Sequence, residues 1–181
     1  LLTRSLPDMK PVPHLVTNVA SLSPQVWELT LRADVKFHNG EPFTGETVKA
    51  NFERILDPQQ KVPYRGTFTW IDRVEVVEPA KVRLHTKTVY PIVREALTFA
   101  YMMPAAYLET VGDAGFLENP VGSGPFRFRE WVRGQRVVLE ANEAYWKGAP
   151  SLKRMVFRPI PEVSTQIAEL LAGNVHLIKT V

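Results

Sequence analysis

The chain has 181 residues, long enough for one ordinary domain or two small ones around a real hydrophobic core. With 45% hydrophobic and 23% charged residues it falls in the globular range, which excludes disorder along the whole length. Its net charge of +3 is small and scattered, so no nucleic-acid partner is expected; zero Cys excludes disulfide frameworks, thiolate metal sites and Cys nucleophiles.

No apolar run approaches the ~18 residues of a membrane-spanning helix. The longest, Ala96 to Leu108, is interrupted by Thr98 and Pro104. The chain starts at Leu1-Leu2-Thr3-Arg4, without an initiator Met or a charged-then-apolar leader, and reads as a piece of something longer.

Residues 1–24 carry Pro7, Pro11, Pro13 and Pro24 and are expected to be irregular. From Val26 the pattern alternates, with Trp27, Leu29 and Leu31 on one strand face and Glu28, Thr30 and Arg32 on the other. A second short strand is expected at Val35 to His38, ending at the turn Asn39-Gly40, where both residues tolerate positive φ. Thr44 is placed to cap a helix running to about Leu56, with Val48, Phe52, Ile55 and Leu56 as one apolar stripe. Asp57-Pro58 ends it, because residues before Pro avoid helical angles.

A polar loop with Tyr64, Arg65 and Trp70 follows, then strands at about 72–78 and 81–86 joined by Glu78-Pro79-Ala80-Lys81. Pro91 opens a short helix with Val93, Ala96, Leu97 and Ala100 on one side. The run Phe99 to Met103 is apolar and aromatic, and the stretch after it, with Gly112, Asp113, Gly115 and Glu118, reads as a loop. A second part begins near Asn119-Pro120. It holds a hairpin of Phe126 to Trp131 and Arg136 to Ala141 turning at Gly134, and a strand at Leu152 to Arg158. A helix from Glu162 to Ala172 and a strand at Val175 to Ile178 complete it. Val163, Ile167, Leu170 and Leu171 form that helix's buried stripe, Gly173 its C-terminal cap, and the strand–helix–strand order implies a right-handed parallel crossover. The fold class is therefore mixed α/β, with sheets flanked by helices.

Catalytic motifs are scarce. H-E-x-x-H and the phosphate-binding G-x-x-x-x-G-K-[ST] are absent, and no cofactor or metal is expected. Gly122-Ser123-Gly124 resembles a nucleophile turn, but Pro125 blocks the helix that should follow, so a tight loop leading into a strand is the structural reading. A hydrolase using Ser123 with one of the four His residues is the enzymatic alternative, and it requires an imidazole nitrogen within about 3.2 Å of Ser123 Oγ. Phe99, Tyr101, Met102 and Met103, a short apolar run with a phenol between two structural units, suit either core packing or a ligand cleft.

Three stretches together resemble the extracytoplasmic solute-binding proteins of ABC importers, the peptide/nickel (family 5) class. The first runs from Trp27 through Leu31-Arg32 and Val35-Lys36-Phe37-His38-Asn39-Gly40-Glu41-Pro42-Phe43-Thr44 to the helix with Val48, Asn51, Phe52 and Arg54. The second is Asn119-Pro120-Val121-Gly122-Ser123-Gly124-Pro125-Phe126, reaching Trp131; the third is Leu139-Glu140-Ala141-Asn142 with Tyr145-Trp146, Pro159-Ile160-Pro161 and Leu171-Ala172-Gly173. Ser123 stands where Thr is usual and His176 where Asp is common.

The resemblance implies a partial lobe of the periplasmic-binding-protein type II kind. Residues 1–116 would be the small subdomain of the first lobe and 117–181 part of its main subdomain, with the second lobe beyond Val181. It implies a non-enzymatic, periplasmic or otherwise extracytoplasmic component that captures an oligopeptide, dipeptide or related small solute for an ABC permease in the membrane. A sensory module not coupled to import is a further alternative. Phe99, Tyr101 and Met102 would face the solute, with Tyr64 and Arg65 as further contacts. Nickel binders of the class use a basic side chain near this aromatic run; Phe99 to Met103 has none, which disfavours a metal-chelate ligand.

Overall fold

The computed structural model describes residues 1–6, 8–60 and 62–179. Its first feature is a small antiparallel hairpin of β1 (Leu2–Arg4) and β2 (Pro11–Pro13), where an irregular segment was expected. Proline is tolerated here because each strand of a two-stranded sheet is an edge, where missing N–H groups cost no ladder bond. Leu1 and Leu2 beside it are buried in the core.

The main sheet has four antiparallel strands in the order β3-β4-β6-β5, with β3 Val16–Ser23, β4 Val26–Leu31, β5 Ile71–Glu78 and β6 Lys81–Thr86. Strand β3 also falls in the stretch expected to be irregular. Its register shifts between Val16 and Asn18 and again between Ser21 and Ser23, which breaks the alternation that marks a strand in sequence. Residues 35–38 form no strand: a single bridge joins Lys36 to Pro42 across the turn at Gly40 (φ 88°). The segment is too short for more, since Phe37 N–H bonds back to the Glu41 carbonyl only four residues on.

Helix α1 (Gly45–Leu56) starts as its sequence implies. Thr44 and Thr47 exchange side-chain and backbone hydrogen bonds in a capping box, a contribution of about 1 kcal/mol. Val48, Phe52 and Ile55 are fully buried against the main sheet, and Phe52 meets Phe68 edge-on with ring centroids 5.4 Å apart. Gly45 lets the helix approach closely: a Cβ there would lie 2.9 Å from Val76 and 3.0 Å from Val82. A short helix α2 (Val93–Ala96) and a 3₁₀ turn at Leu97–Phe99 add Val93, Ala96 and Leu97 to the core.

Residues 105–118, expected to be a loop, form helix α3 (Ala105–Glu118), interrupted at Gly112 with φ 65°. The glycines and acids that suggested a loop have local work here. Gly112 makes the kink, Asp113 pairs with Arg54 of α1 at 2.6 Å, and the Glu41 carboxylate accepts the first free amides, Ala106 and Tyr107, at 3.2 and 3.3 Å.

A three-stranded antiparallel sheet follows, ordered β7-β8-β9 with β7 Phe126–Val132, β8 Arg136–Ala141 and β9 Arg154–Phe157, and then helix α4 (Val163–Leu171). Two expectations fail in this part. Residues 175–178 form no strand, since among the described residues no strand lies beside them to satisfy their backbone groups, and the expected parallel crossover is not formed there. The apolar stripe of α4 is exposed rather than buried, Val163 at 52%, Ile167 at 45% and Leu171 at 83%.

The buried hydrophobic core is built from residues 1–102. Among the described residues the second sheet adds Val138 and Ala141 to the buried set, and it attaches to the first part through side chains that include Val121 and Trp146. Trp146 carries the Arg32 guanidinium 4.2 Å from its ring centroid, with Lys147 Nζ at 4.9 Å and the His14 ring at 5.2 Å. No helix among the described residues is long and apolar enough to cross a membrane.

Candidate functional site

The 3₁₀ turn at Leu97–Phe99 hands over to a short extended segment whose side chains alternate. Leu97, Ala100 and Met102 point into the core, at 0%, 1% and 7% exposure, while Phe99 (47%) and Tyr101 (69%) face outward. The segment is held from behind by Asn51 of α1, which is 4% exposed and bonds both backbone groups of Met103. The Arg4 guanidinium lies 5.6 Å from the Phe99 ring centroid, its NH1 donating to the Met9 carbonyl. Arg4 was not among the sequence candidates, because only the hairpin β1–β2 brings it to Phe99. Of these three, Phe99 and Tyr101 are exposed, whereas Met102 is part of the packing beneath them.

Tyr64 and Arg65 sit where a second 3₁₀ turn, Arg65–Phe68, begins. The Tyr64 ring meets buried Phe68 edge-on at 6.5 Å, so its body packs on the core. Arg65 is half-buried, and its Nε is enclosed, with no hydrogen-bond partner among the described residues. The far end of this loop is fixed by Trp70, which stacks on Tyr90 (4.4 Å, 6° between planes) and donates from Nε1 to the Thr67 carbonyl at 2.8 Å. Among the described residues no hydrogen bond or ring contact joins Tyr64 or Arg65 to Phe99, Tyr101 or Met102. The candidates thus form two patches on one core.

A cleft of about 470 Å³ opens between α1 and α3, lined by Ala50, Asn51, Arg54, Leu108, Glu109 and Asp113 among others. None of the sequence candidates lines it. Among the described residues no group of three His, Asp or Glu side chains is placed to hold a metal ion.

Among the described residues Ser123 has no imidazole partner. The imidazole that reaches its loop is His38, and both ring nitrogens are occupied by backbone: Nδ1 accepts from Gly122 N–H at 3.3 Å, and Nε2 lies 3.0 Å from the Gly124 carbonyl. Burial lowers the His38 pKa from the ordinary imidazole value; the Gly124 carbonyl opposes that shift and the Arg127 charge adds to it. Ser123 Oγ makes no hydrogen bond to an imidazole among the described residues, so the serine-hydrolase reading loses its required geometry.

Residues 10–181 match bacterial extracellular solute-binding proteins, family 5 Middle. The chain belongs to this family. The glutathione-binding protein GsiB of Pectobacterium atrosepticum is 32% identical over 152 residues, 82% of this chain and 29% of that protein. The structure of NikZ from Campylobacter jejuni in complex with Ni(L-His) superposes with a TM-score of 0.90 at 29% identity, covering 97% of this chain and 36% of that one. AppA from Bacillus subtilis in complex with a nonapeptide gives 0.86 at 28% identity, over 96% and 36%. The family 5 chain described here therefore spans about a third of the length of these relatives, and its mixed α/β fold is that of the corresponding part of a periplasmic binding protein. In the structure Thr44 caps α1, Gly40 makes a turn, and the loop at 122–125 connects α3 to β7.

Proposed function

We propose that this family 5 chain is part of the non-enzymatic solute-binding component of an ABC importer, capturing an oligopeptide, dipeptide or related small solute outside the cytoplasm and delivering it to a membrane permease. The observation that carries the reading is the family match over residues 10–181. The ligands named for its relatives, glutathione, Ni(L-His) and a nonapeptide, share amino-acid chemistry: carboxylates, amines and a variable side chain. One feature of this chain suits such a ligand. Phe99 and Tyr101 offer exposed aromatic surface that buries side chains without demanding one sequence.

In this reading residues 1–116 form the small subdomain of a first lobe and 117–181 part of its main subdomain, with α3 bridging the two. The distribution of the buried core over residues 1–102 supports the division. A second lobe would close over Phe99 and Tyr101, and closure of one lobe on the other would bind the solute and present it to the permease.

Isothermal titration of the full-length parent against a peptide library, with Ni(L-His) as a separate arm, tests this. Saturable heat with peptides at micromolar or lower concentration is the expected result, and heat from the chelate alone moves the solute class to metal–amino-acid complexes. Silence in both arms removes the proposal.

A further inference from the structure

The turn after Phe37 grips the connector between the two sheets at both ends. At one end Glu41 accepts the Ala106 and Tyr107 amides that open α3. At the other, His38 holds the loop after α3 by three bonds: its own N–H donates to the Gly122 carbonyl at 2.8 Å, its Nδ1 accepts the Gly122 N–H, and its Nε2 meets the Gly124 carbonyl. The two ring contacts define the proton position. An Nδ1 that accepts from an amide is unprotonated, so Nε2 carries the proton and donates it to Gly124.

We propose that His38 is a proton-sensitive clasp, which when neutral fixes the loop 122–124 to the turn and when protonated at Nδ1 releases Gly122 and loosens the second sheet from the first. The physical cause is a collision of donors. A proton arriving from solvent at Nδ1 turns the acceptor of the Gly122 N–H into a second N–H aimed at it, while the Nε2 bond survives.

The surroundings favour the neutral ring. His38 is half-buried, and the charged group that faces it from the packed elements is Arg127 on β7, of the same sign as imidazolium. Glu41, in the same turn, is directed at the α3 amides instead. Asn39, Asn119, Val121 and Phe128, with Arg127, line an opening of about 210 Å³ beside the ring, which gives solvent protons access. Burial and Arg127 lower the pKa of the ring, so release occurs on the acid side of an ordinary His. An extracytoplasmic protein, as proposed above, would meet such acidity directly; the clasp itself rests on geometry alone.

The experiment is a pH titration by NMR of the full-length parent with His, Gly and Leu selectively labelled, following the His38 ring nitrogens, the Gly122 amide and, as a core reference, the Leu84 amide. At neutral pH the ring should be the Nε2–H tautomer. On acidification the Gly122 amide should shift and lose hydrogen-exchange protection with the midpoint of the His38 ring, while Leu84 stays protected. His38→Gln should abolish the Gly122 titration. An Nδ1–H tautomer at neutral pH, a Gly122 amide indifferent to His38 protonation, or simultaneous loss at Leu84 would each overturn the clasp. The tautomer reading needs no variant, so it decides the matter even where His38→Gln fails to fold.

Discussion

Asn51 and Met103 form a reciprocal pair: the Asn51 amide nitrogen donates to the Met103 carbonyl at 2.8 Å, and its oxygen accepts the Met103 N–H at 3.0 Å. The same nitrogen also donates to the Thr47 carbonyl at 2.8 Å, so this buried amide is fully used. It acts as a surrogate strand, supplying from a helix the two bonds the segment at 103 would otherwise draw from a sheet. Asn51→Ala leaves both Met103 groups without partners. It should destabilise the chain by about 2–4 kcal/mol, read from the midpoint of urea unfolding.

Gly45 tests the closeness of α1 to the main sheet. Alanine is the better helix former, but its methyl group would press on Val76 and Val82 at 2.9 and 3.0 Å and on the Glu78 carbonyl at 3.3 Å. The carbonyl is backbone and gives way least. Gly45→Ala should therefore cost about 1–3 kcal/mol in the same unfolding measurement, with overpacking outweighing propensity.

Acid should begin to weaken the fold above the pH range in which ordinary carboxylates titrate. The His14 pKa is lowered to about 4, first by burial and then by the charges of Lys147 and Arg32 around it; that of His38 is lowered as well. Both rings bind protons more readily when unfolded, so stability is full above pH of about 6.5 and is lost as pH falls toward 4. His14→Phe, which keeps a ring against Trp146, should flatten part of this dependence in urea midpoints measured across that range. A dependence confined to lower pH, where Asp8, Asp34 and Glu75 titrate, would refute the assignment to histidine.

The alternation at Phe99 to Met102 separates binding from packing. Phe99→Ala and Tyr101→Ala, both at exposed positions, should leave stability within about 0.5 kcal/mol and reduce solute affinity of the full-length parent by about tenfold or more. Met102→Ala should do the reverse, costing about 2 kcal/mol of stability through the cavity it leaves, with affinity changed little in the molecules that remain folded. Calorimetric titration and thermal unfolding of the three variants would distinguish the patterns.

Local chemistry made much of this legible in the sequence. Thr44 capped a helix, Asn39-Gly40 turned, and the stripe of Val48, Phe52 and Ile55 was buried, because each depends on neighbours in the chain. What failed depends on distant partners. Strand β3 hid behind two register shifts, and α3 behind a kinked glycine and a carboxylate supplied by Glu41, more than sixty residues away. The absent strand at 175–178 and the exposed stripe of α4 have one cause: periodicity reports what a segment can pair with or bury, and no neighbour among the described residues meets either. In the candidate site the aromatic run was visible, whereas Arg4 beside Phe99 and the pinning of Met103 by Asn51 required the fold.

The short turn that grips both ends of the connector makes the two hairpin tips unequal as places to graft foreign sequence. Gly134 tops the β7–β8 hairpin with open space around it, and a reporter peptide spliced there would ride on the surface. The same insertion at Gly40 would pull Glu41 off the start of α3 and His38 off Gly122 in one stroke, so a label meant to follow the protein would instead uncouple its two sheets.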